Sequence, residues 1–505
     1  MKLLSDQFPS QLITDGQVIL PTTQLSNLFL KLDQVFECQG VKVSDSVIFE
    51  CSNTVRNAVV LLYLLDREYS FLLVPQSVEA DKPIYPTFFP HLLKTLDLDP
   101  ALPMDPSLGD PADFLHILPN PEFQSSQVTG EALQTQDPEV PKIYLRTSGS
   151  TGTPKLVVHH QARFWNNVKG CSERLQLNAN DRVAIPVPLF HMYGLGAAFL
   201  PSLLTGASVD LQKGANLLRY IQREQQFDPT VAFLTPVFCK MLLQGRRSSR
   251  PYRFTVVAGD RVPSETFDQY EAKFGCLVRL YGSTEMGVMA AASPDDTVEM
   301  RSTFVGLPLK GVSFKLETPQ EDVPAEMDGV GELWCQNQSG FEGYVDREGH
   351  PVLTDSLQLE ASPADPEKET RSPALPWFRT KDFAQIGSEG RVMVIGRCDH
   401  SVNRDGLLVF FSDVERAIDS LETIERSVVV TKGESSRGKG LVAYCVPTKG
   451  SSPTEADIRS HCFDRLPKRA IPDAIVLLET LPLLPNGKID RQTLMRQVDP
   501  VSAPS

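Results

Sequence analysis

Short apolar runs that end in turn residues recur along this chain, and longer stretches of helical length separate several of them. Between Ser44 and Pro75 the order is "SVIFEC", then "TVRNAVVLLYLLDRE", then "YSFLLVP". The outer two predict strands and the middle one a helix, which together make a βαβ unit. A Pro-rich polar stretch runs from Pro100 to Pro111, and the alternation then resumes. "RVAIPVPLF", "GASVDL", "VAFLTP", "FTVVAGD" and "CLVRLYG" read as strands, while "NLLRYIQREQ" and "SETFDQYEAKF" read as helices. Alternation of this kind predicts an α/β protein with mostly parallel sheets. No internal repeat is visible.

From about Phe304 the texture changes. "GVSFKLE", "GELWCQ" and "GRVMVIGR" are glycine-spaced strands that suit a small antiparallel, β-barrel-like sheet. The polar stretch from Leu357 to Pro376 reads as an exposed loop. After "GRCDH" the pattern becomes compact α+β: "DVERAIDSL" and "TEADIRSHCFDRL" are helical, and "RSVVVTK" and "LVAYCVP" are strands. The expected organisation is a large N-terminal domain over 1–397, a hinge at 398–400 and a small α+β domain over 401–505.

Composition narrows the class of partner. The chain has 505 residues, 41% hydrophobic and 22% charged, with a formal net charge of −14. That balance describes a globular protein and favours neither nucleic acid nor an anionic membrane, although "GRRSSR" is a local basic patch. Nine scattered cysteines without a CxxC pair support neither a disulfide framework nor a zinc site. The start, "MKLLSDQFPSQLITDG", lacks the apolar core of a signal peptide, and no run approaches the roughly 20 residues of a membrane span. A cytoplasmic location is expected.

The segment with the densest chemistry is "TSGSTGTPK", Thr147 to Lys155. Gly149 and Gly152 let backbone N–H groups turn inward, and a run of such amides makes a concavity for an anion. Thr147, Ser148, Ser150, Thr151 and Thr153 add hydroxyl donors, and Lys155 adds a mobile cation. Phosphate is the ligand this composition suits. The kinase-type phosphate loop does not fit, because Pro154 precedes the lysine, no hydroxyl follows it, and the loop leads from "KIYLRT" into the strand-like "LVVHH".

Four further motifs follow in order: "YGSTE" (Tyr281–Glu285), "FRTKD" (Phe378–Asp382), "GRCD" (Gly396–Asp399) and "PNGKIDR" (Pro485–Arg491). With the opening loop, they make residues 40 to 492 resemble the adenylate-forming superfamily of acyl-CoA synthetases, peptide-synthetase adenylation domains and luciferases. The motifs lie nearest to those of acyl-CoA synthetases. The resemblance implies a two-step reaction. A carboxylate attacks the α-phosphate of ATP to give acyl-AMP and pyrophosphate, and a thiol then displaces AMP to give a thioester.

The resemblance also implies roles. Thr147, Ser148, Gly149, Ser150, Thr151, Gly152 and Lys155 would hold the phosphates of ATP. Gly259, Tyr281, Gly282, Ser283 and Thr284 would line the AMP site, with Tyr281 against adenine and Thr284 on the α-phosphate. Glu285 would bind Mg2+, Asp382 the ribose hydroxyls, and Arg397 would also reach the ribose. Lys488 would bridge the incoming carboxylate and the α-phosphate, lowering their mutual repulsion. Asp399 would be the hinge about which the small domain turns.

"PLFHMYG" (Pro188–Gly194) resembles the acyl-CoA synthetase form of the acid-binding wall. His191 stands where amino-acid-activating relatives carry an Asp that pairs with the substrate ammonium. An acid without an α-amino group is therefore expected, in a pocket formed by His191, Met192, Gly194 and Gly287, with "LTPVF" (Leu234–Phe238) lining it. Gly194, Gly196, Ala197 and Ala198 leave room for an acyl chain or mark tight helix packing; the residues alone allow both.

Two departures from the family pattern stand out. The usual Thr-Gly-Asp reads Thr380-Lys381-Asp382. After the hinge, "VNRDGLLVFFSDVE" has Asn403 for the usual lysine, Asp405 for a basic residue and Phe410 for the usual glutamate. The loss of positive charge bears on coenzyme A, whose phosphates favour cations. The thiol is thus that of coenzyme A or of a phosphopantetheine arm on an acyl carrier protein. A binding protein that keeps the fold without catalysis is the reading from another class. The acidic charge and the lack of a KMSKS-like segment argue against an aminoacyl-tRNA synthetase.

Overall fold

The computed structural model describes residues 8–76, 84–97, 108–124, 140–147, 155–317, 329–354, 356–358, 375–404, 407–435, 438–482 and 489–496. Two compact units are distinguished. The first comprises Met1–Phe314, Cys335–Phe378 and Gly387–Met393; the second comprises Lys315–Trp334, Arg379–Ile386 and Val394–Ser505.

The first unit contains two large sheets. In the nine-stranded one, Leu12–Thr14, Ser208–Leu211, Arg182–Ile185, Val231–Leu234, Phe254–Val257 and Leu277–Ser283 run parallel in that spatial order. Antiparallel neighbours close its edges: Ile19–Pro21 on one side, Gly287–Ala291 and Leu307–Pro308 on the other. The eight-stranded sheet has Val47–Cys51 between the parallel strands Phe71–Pro75 and His91–Thr95. It continues through Lys142–Arg146 into the antiparallel strands Leu156–His160, Gly343–Val345 and Pro351–Val352. The parallel centre with antiparallel rims follows from connection length, since tight turns join only antiparallel neighbours.

The helix Val55–Asp66 shows why the βαβ reading succeeds. The Thr54 side chain caps it by accepting from the Asn57 N–H. Its residues from Ala58 to Leu65 are all buried. A helix apolar all round belongs inside a core, and this one packs in a cluster shared with Ile13, Val183 and Ile185 of one sheet and Val47, Phe49 and Phe71 of the other.

The small sheet runs in the order Val312–Glu317, Val330–Asn337, Trp377–Ile386, Leu357–Gln358, with Val392–Arg397 also paired to Trp377–Ile386. Among the described residues it is open, without the closure of a barrel. The second unit also has a sheet of Leu407–Phe410, Ser401–Arg404, Gly438–Pro447 and Ile424–Ser435, with Ala474–Leu477 beside Gly438–Pro447. The helices Phe411–Asp419 and Glu455–Arg465 pack on its apolar face through Val414, Ile418, Ile458 and Cys462.

Candidate active site

The motif "YGSTE" forms the tip of an antiparallel hairpin. Tyr281, Gly282 and Ser283 end one strand, Thr284 to Met286 make the turn, and Gly287 starts the return strand. Gly287 has φ of +66°, and a Cβ there would lie 2.6 Å from Asn167 Oδ1. Only glycine satisfies both conditions. Asn167 fixes the return strand, donating to the Val288 carbonyl at 2.8 Å and accepting from the Val288 N–H at 2.9 Å. The Ser283 hydroxyl accepts from the Met286 N–H at 3.0 Å, which tightens the turn. Thr284 and Glu285 are half-buried at this tip, and Gly259, two residues past the adjacent parallel strand Phe254–Val257, has φ of +96°.

The strand Leu156–His160 and its partner Gly343–Val345 supply the walls beside the tip. Tyr344 pairs with Val157, and its hydroxyl donates to Glu285 Oε1 at 2.9 Å. Burial and the neighbouring carboxylate push the Tyr344 phenol well above its ordinary range, so it remains a donor. The Lys155 ammonium lies 5.5 Å from the centre of the same ring. The Phe341 N–H holds the Glu285 carbonyl at 2.9 Å. From below, His159 Nε2 meets the Thr284 carbonyl at 2.7 Å. A cation and a carboxylate are thereby gathered around one aromatic side chain. The Thr147 N–H donates to the Lys155 carbonyl at 3.2 Å; Ser148, Gly149, Ser150, Thr151 and Gly152, expected to hold the phosphates, lie outside the described residues.

"PLFHMYG" leads into a stretch of π-helix, Tyr193–Phe199, that continues as the α-helix Leu200–Leu204. Asn53 pins the approach: its amide donates to the carbonyls of Ile185 and Val187, and its oxygen accepts from the Leu189 N–H at 2.9 Å. His191 is half-buried, with its ring 4.5 Å from that of Phe190; Met192 is buried. The small residues here are packed against. A Cβ on Gly194 would lie 2.0 Å from the Pro188 carbonyl oxygen, and one on Gly196 would lie 2.8 Å from Met192 Sδ.

In the second unit, Arg397 gathers two carboxylates. It lies 3.4 Å from Asp382 Oδ1, donates to the Thr380 carbonyl at 3.1 Å, and makes a two-point contact with Asp399 at 3.1 and 3.2 Å. Burial opposes ionisation of Asp399, but the Arg397 bonds prevail and hold its carboxyl below the ordinary value. Asp382 is buried, and its N–H donates to the Thr380 hydroxyl at 3.1 Å. Between them Lys381 has φ of +61°, the left-handed conformation that the family's usual glycine takes without cost. Phe410 is buried edge-on against Phe383, with ring centres 5.7 Å apart.

Lys488 lies outside the described residues, but the chain on either side is well anchored. The Asp490 N–H donates to the Pro482 carbonyl at 2.9 Å. Arg491 then binds Glu415 Oε1 at 2.8 Å and the Val429 carbonyl, while the Leu494 side chain is fully buried.

The AMP-binding enzyme family model matches residues 90–345, half of the chain, and the AMP-binding enzyme C-terminal domain matches residues 413–488. This chain belongs to the AMP-binding enzyme family. The first match spans the phosphate loop, His191, the hairpin tip and Tyr344, and the second ends on Lys488. Asp382, Arg397 and Asp399 fall between the two.

Curated relatives include the dimodular nonribosomal peptide synthase of Bacillus subtilis, 26% identical over 94% of this chain and 21% of that protein's length. They also include sulfoacetate–CoA ligase of Cupriavidus necator, 25% identical over 74% of this chain and 70% of the relative. This chain thus spans a small fraction of the peptide synthase it matches. Among solved structures, ATP-bound MatB from Rhodopseudomonas palustris superposes with a TM-score of 0.72 over 97% of this chain and 96% of that one, at 19% identity. That likeness shows the adenylate-forming fold of a large α/β domain and a small C-terminal domain.

The motifs of this family did not point to His159, Tyr344, Asn167 or the Arg491–Glu415 pair. Of these, Arg491 lies in a motif, and its partner is remote in sequence. The other three support the hairpin from other elements, His159 and Tyr344 from strands of the other large sheet and Asn167 from the helix Gln161–Leu175, a tertiary relationship that leaves no local signal.

Proposed function

We propose that this enzyme activates a carboxylic acid without an α-amino group by adenylation and transfers the acyl group to the thiol of coenzyme A. In the first step a carboxylate oxygen bonds to the α-phosphorus of ATP and pyrophosphate leaves. In the second the thiol sulfur, giving up its proton, bonds to the acyl carbon and AMP leaves. The observation that carries this reading is the arrangement at the hairpin tip. Glu285 accepts from the Tyr344 hydroxyl and Lys155 stands over the Tyr344 ring, so a carboxylate and a cation converge, with Thr284 adjacent in the chain, where a polyphosphate would be cleaved.

Lys155 and the preceding loop neutralise the departing pyrophosphate, and Thr284 donates to the α-phosphate. Glu285, which also accepts from the Tyr344 hydroxyl, would hold Mg2+. Magnesium keeps waters and takes phosphate oxygens, so a single carboxylate suits it; when bound, it neutralises phosphate charge. Asp382, an acceptor only, takes the ribose hydroxyls, and Arg397 holds it in place. Lys488 bridges the two anions that must meet, and Asp399 is the pivot after which the small domain, from 401 onward, turns. His191 sits beside the reacting carboxylate, and an acid with an α-ammonium would lack its counter-charge there.

A carrier-borne phosphopantetheine thiol is the second reading. The one cation of "VNRDG" is Arg404, and it is buried against Asp473 at 2.8 and 2.9 Å, already neutralised. A carrier arm lacks the adenosine phosphates of coenzyme A and needs fewer cations.

The test is ATP–pyrophosphate exchange with MgATP over a panel of aliphatic, aryl and amino acids. Exchange is expected with acids lacking the α-amino group. Adding coenzyme A, and separately a carrier protein bearing a free phosphopantetheine thiol, then identifies the acceptor. Exchange with no acid would overturn the reading in favour of a binding protein of this fold.

A further inference from the structure

His159 is the polar member of a buried strand. Leu156, Val157 and Val158 before it are apolar and buried, and His159 itself is 1% exposed. A carbonyl only accepts, so the 2.7 Å contact with the Thr284 oxygen places the imidazole proton on Nε2. Nδ1 is then left with its lone pair, buried and without a partner among the described residues. A leucine or phenylalanine would fill this space without stranding an acceptor. Packing therefore does not account for a histidine here; the bond to Thr284 does.

The ring is also placed between the parts of the site. Its strand begins next to Lys155, at the exit of the phosphate loop. Its edge stands against Phe164, with ring centres 5.6 Å apart and planes at 76°. Phe164 in turn faces the acid wall, 3.1 Å from where a Cβ on Gly196 would lie.

We propose that His159 is a positioning residue. By holding the Thr284 carbonyl from the phosphate-loop strand, it orients the hairpin tip so that the Thr284 hydroxyl and the Glu285 carboxylate face the reacting phosphate. This rests on the adenylation reading above. It assigns to His159 an effect on the rate of adenylate formation, exerted through Thr284 without contact with substrate.

The experiment compares His159→Leu and His159→Gln in ATP–pyrophosphate exchange, using an acid the unaltered enzyme accepts. Glutamine extends an N–H about as far as Nε2 does; leucine offers none. The leucine variant is expected to lose about ten- to hundredfold in kcat with KM for the acid within about threefold, the signature of an interaction that matters in the transition state. The glutamine variant is expected to recover kcat to within about threefold of the unaltered enzyme. Unchanged kcat in the leucine variant would overturn the proposal, as would equal losses in both variants, which would reduce His159 to a packing residue. If the leucine variant does not fold, the glutamine variant decides: kcat near that of the unaltered enzyme supports the role, and a loss beyond about tenfold overturns it. Absence of exchange in the unaltered enzyme with every acid would instead bring down the adenylation reading, and this inference with it, before any variant is made.

Discussion

Arg491 holds Glu415 at 2.8 Å, three residues past Lys488. The same carboxylate oxygen accepts from the Val429 N–H at 2.8 Å, so the pair is tied into the long strand Ile424–Ser435. Burial pushes the Glu415 carboxyl up, opposed by the Arg491 charge. Together with the Asp490–Pro482 backbone bond, this pair anchors the chain immediately after Lys488.

The anchor and the lysine are therefore separable by mutation. Lys488→Ala is expected to lower the adenylation rate by about a hundredfold or more, with the unfolding midpoint unchanged. Arg491→Met strands a buried carboxylate and is expected to cost about 2 kcal/mol of stability as well as activity. Urea denaturation and pyrophosphate exchange on the same samples check both. A Lys488→Ala enzyme with full exchange would remove the lysine from the mechanism.

Lys381 carries a left-handed backbone, at φ of +61°, between Thr380 and Asp382. A lysine tolerates this at a cost of about 1 kcal/mol, and a β-branched residue fares worse. Lys381→Gly removes that strain but loosens the unfolded chain by a similar amount, so a net change below about 1 kcal/mol is expected. Lys381→Val is expected to lose about 1–2 kcal/mol in urea unfolding. A valine variant as stable as the parent would show that the turn relaxes to another conformation.

How much was legible in the sequence depended on whether the signal was local. The strands at Val47–Cys51, Val231–Leu234 and Phe254–Val257 were readable because a parallel strand buried on both faces is a continuous apolar run. "YGSTE" was readable as a site motif, and Lys381 as a departure, since each depends on adjacent residues. The open form of the small sheet was not, because closure depends on pairing between distant strands. Nor was the Tyr344–Glu285 bond, which spans 59 positions. The π-helical stretch at Tyr193–Phe199 was not readable either, because "YGLGAAF" alone suits an ordinary helix equally well.

Gly194 and Gly196 separate tight packing from open space. At Gly194 an added methyl group meets the Pro188 backbone carbonyl at 2.0 Å, and backbone yields little. At Gly196 the nearest atom is Met192 Sδ at 2.8 Å, the end of a flexible side chain. Gly194→Ala is expected to cost about 3 kcal/mol and Gly196→Ala about 1 kcal/mol, measured by thermal unfolding. Equal, negligible losses would mean that the space beside Gly194 is open to an acyl chain.

His159 also makes the fold sensitive to acid. Burial pushes its imidazole down from 6.5 to about 4, while the Thr284 bond acts weakly the other way. The sign follows directly. Between those values the unfolded chain binds a proton at this residue and the folded chain does not, so acid favours unfolding. The contribution is fully present above pH 6.5 and is lost as pH falls towards 4. A shift of this size amounts to about 3 kcal/mol. Urea unfolding at pH 7 and at pH 4.5 should therefore show a steeper loss for the unaltered protein than for His159→Leu, which has nothing to protonate there. Carboxylates that titrate in the same window are common to both proteins and cancel in the difference. If the two proteins lose stability in parallel, the His159 imidazole takes up its proton alike in the folded and unfolded chain, and burial does not depress it.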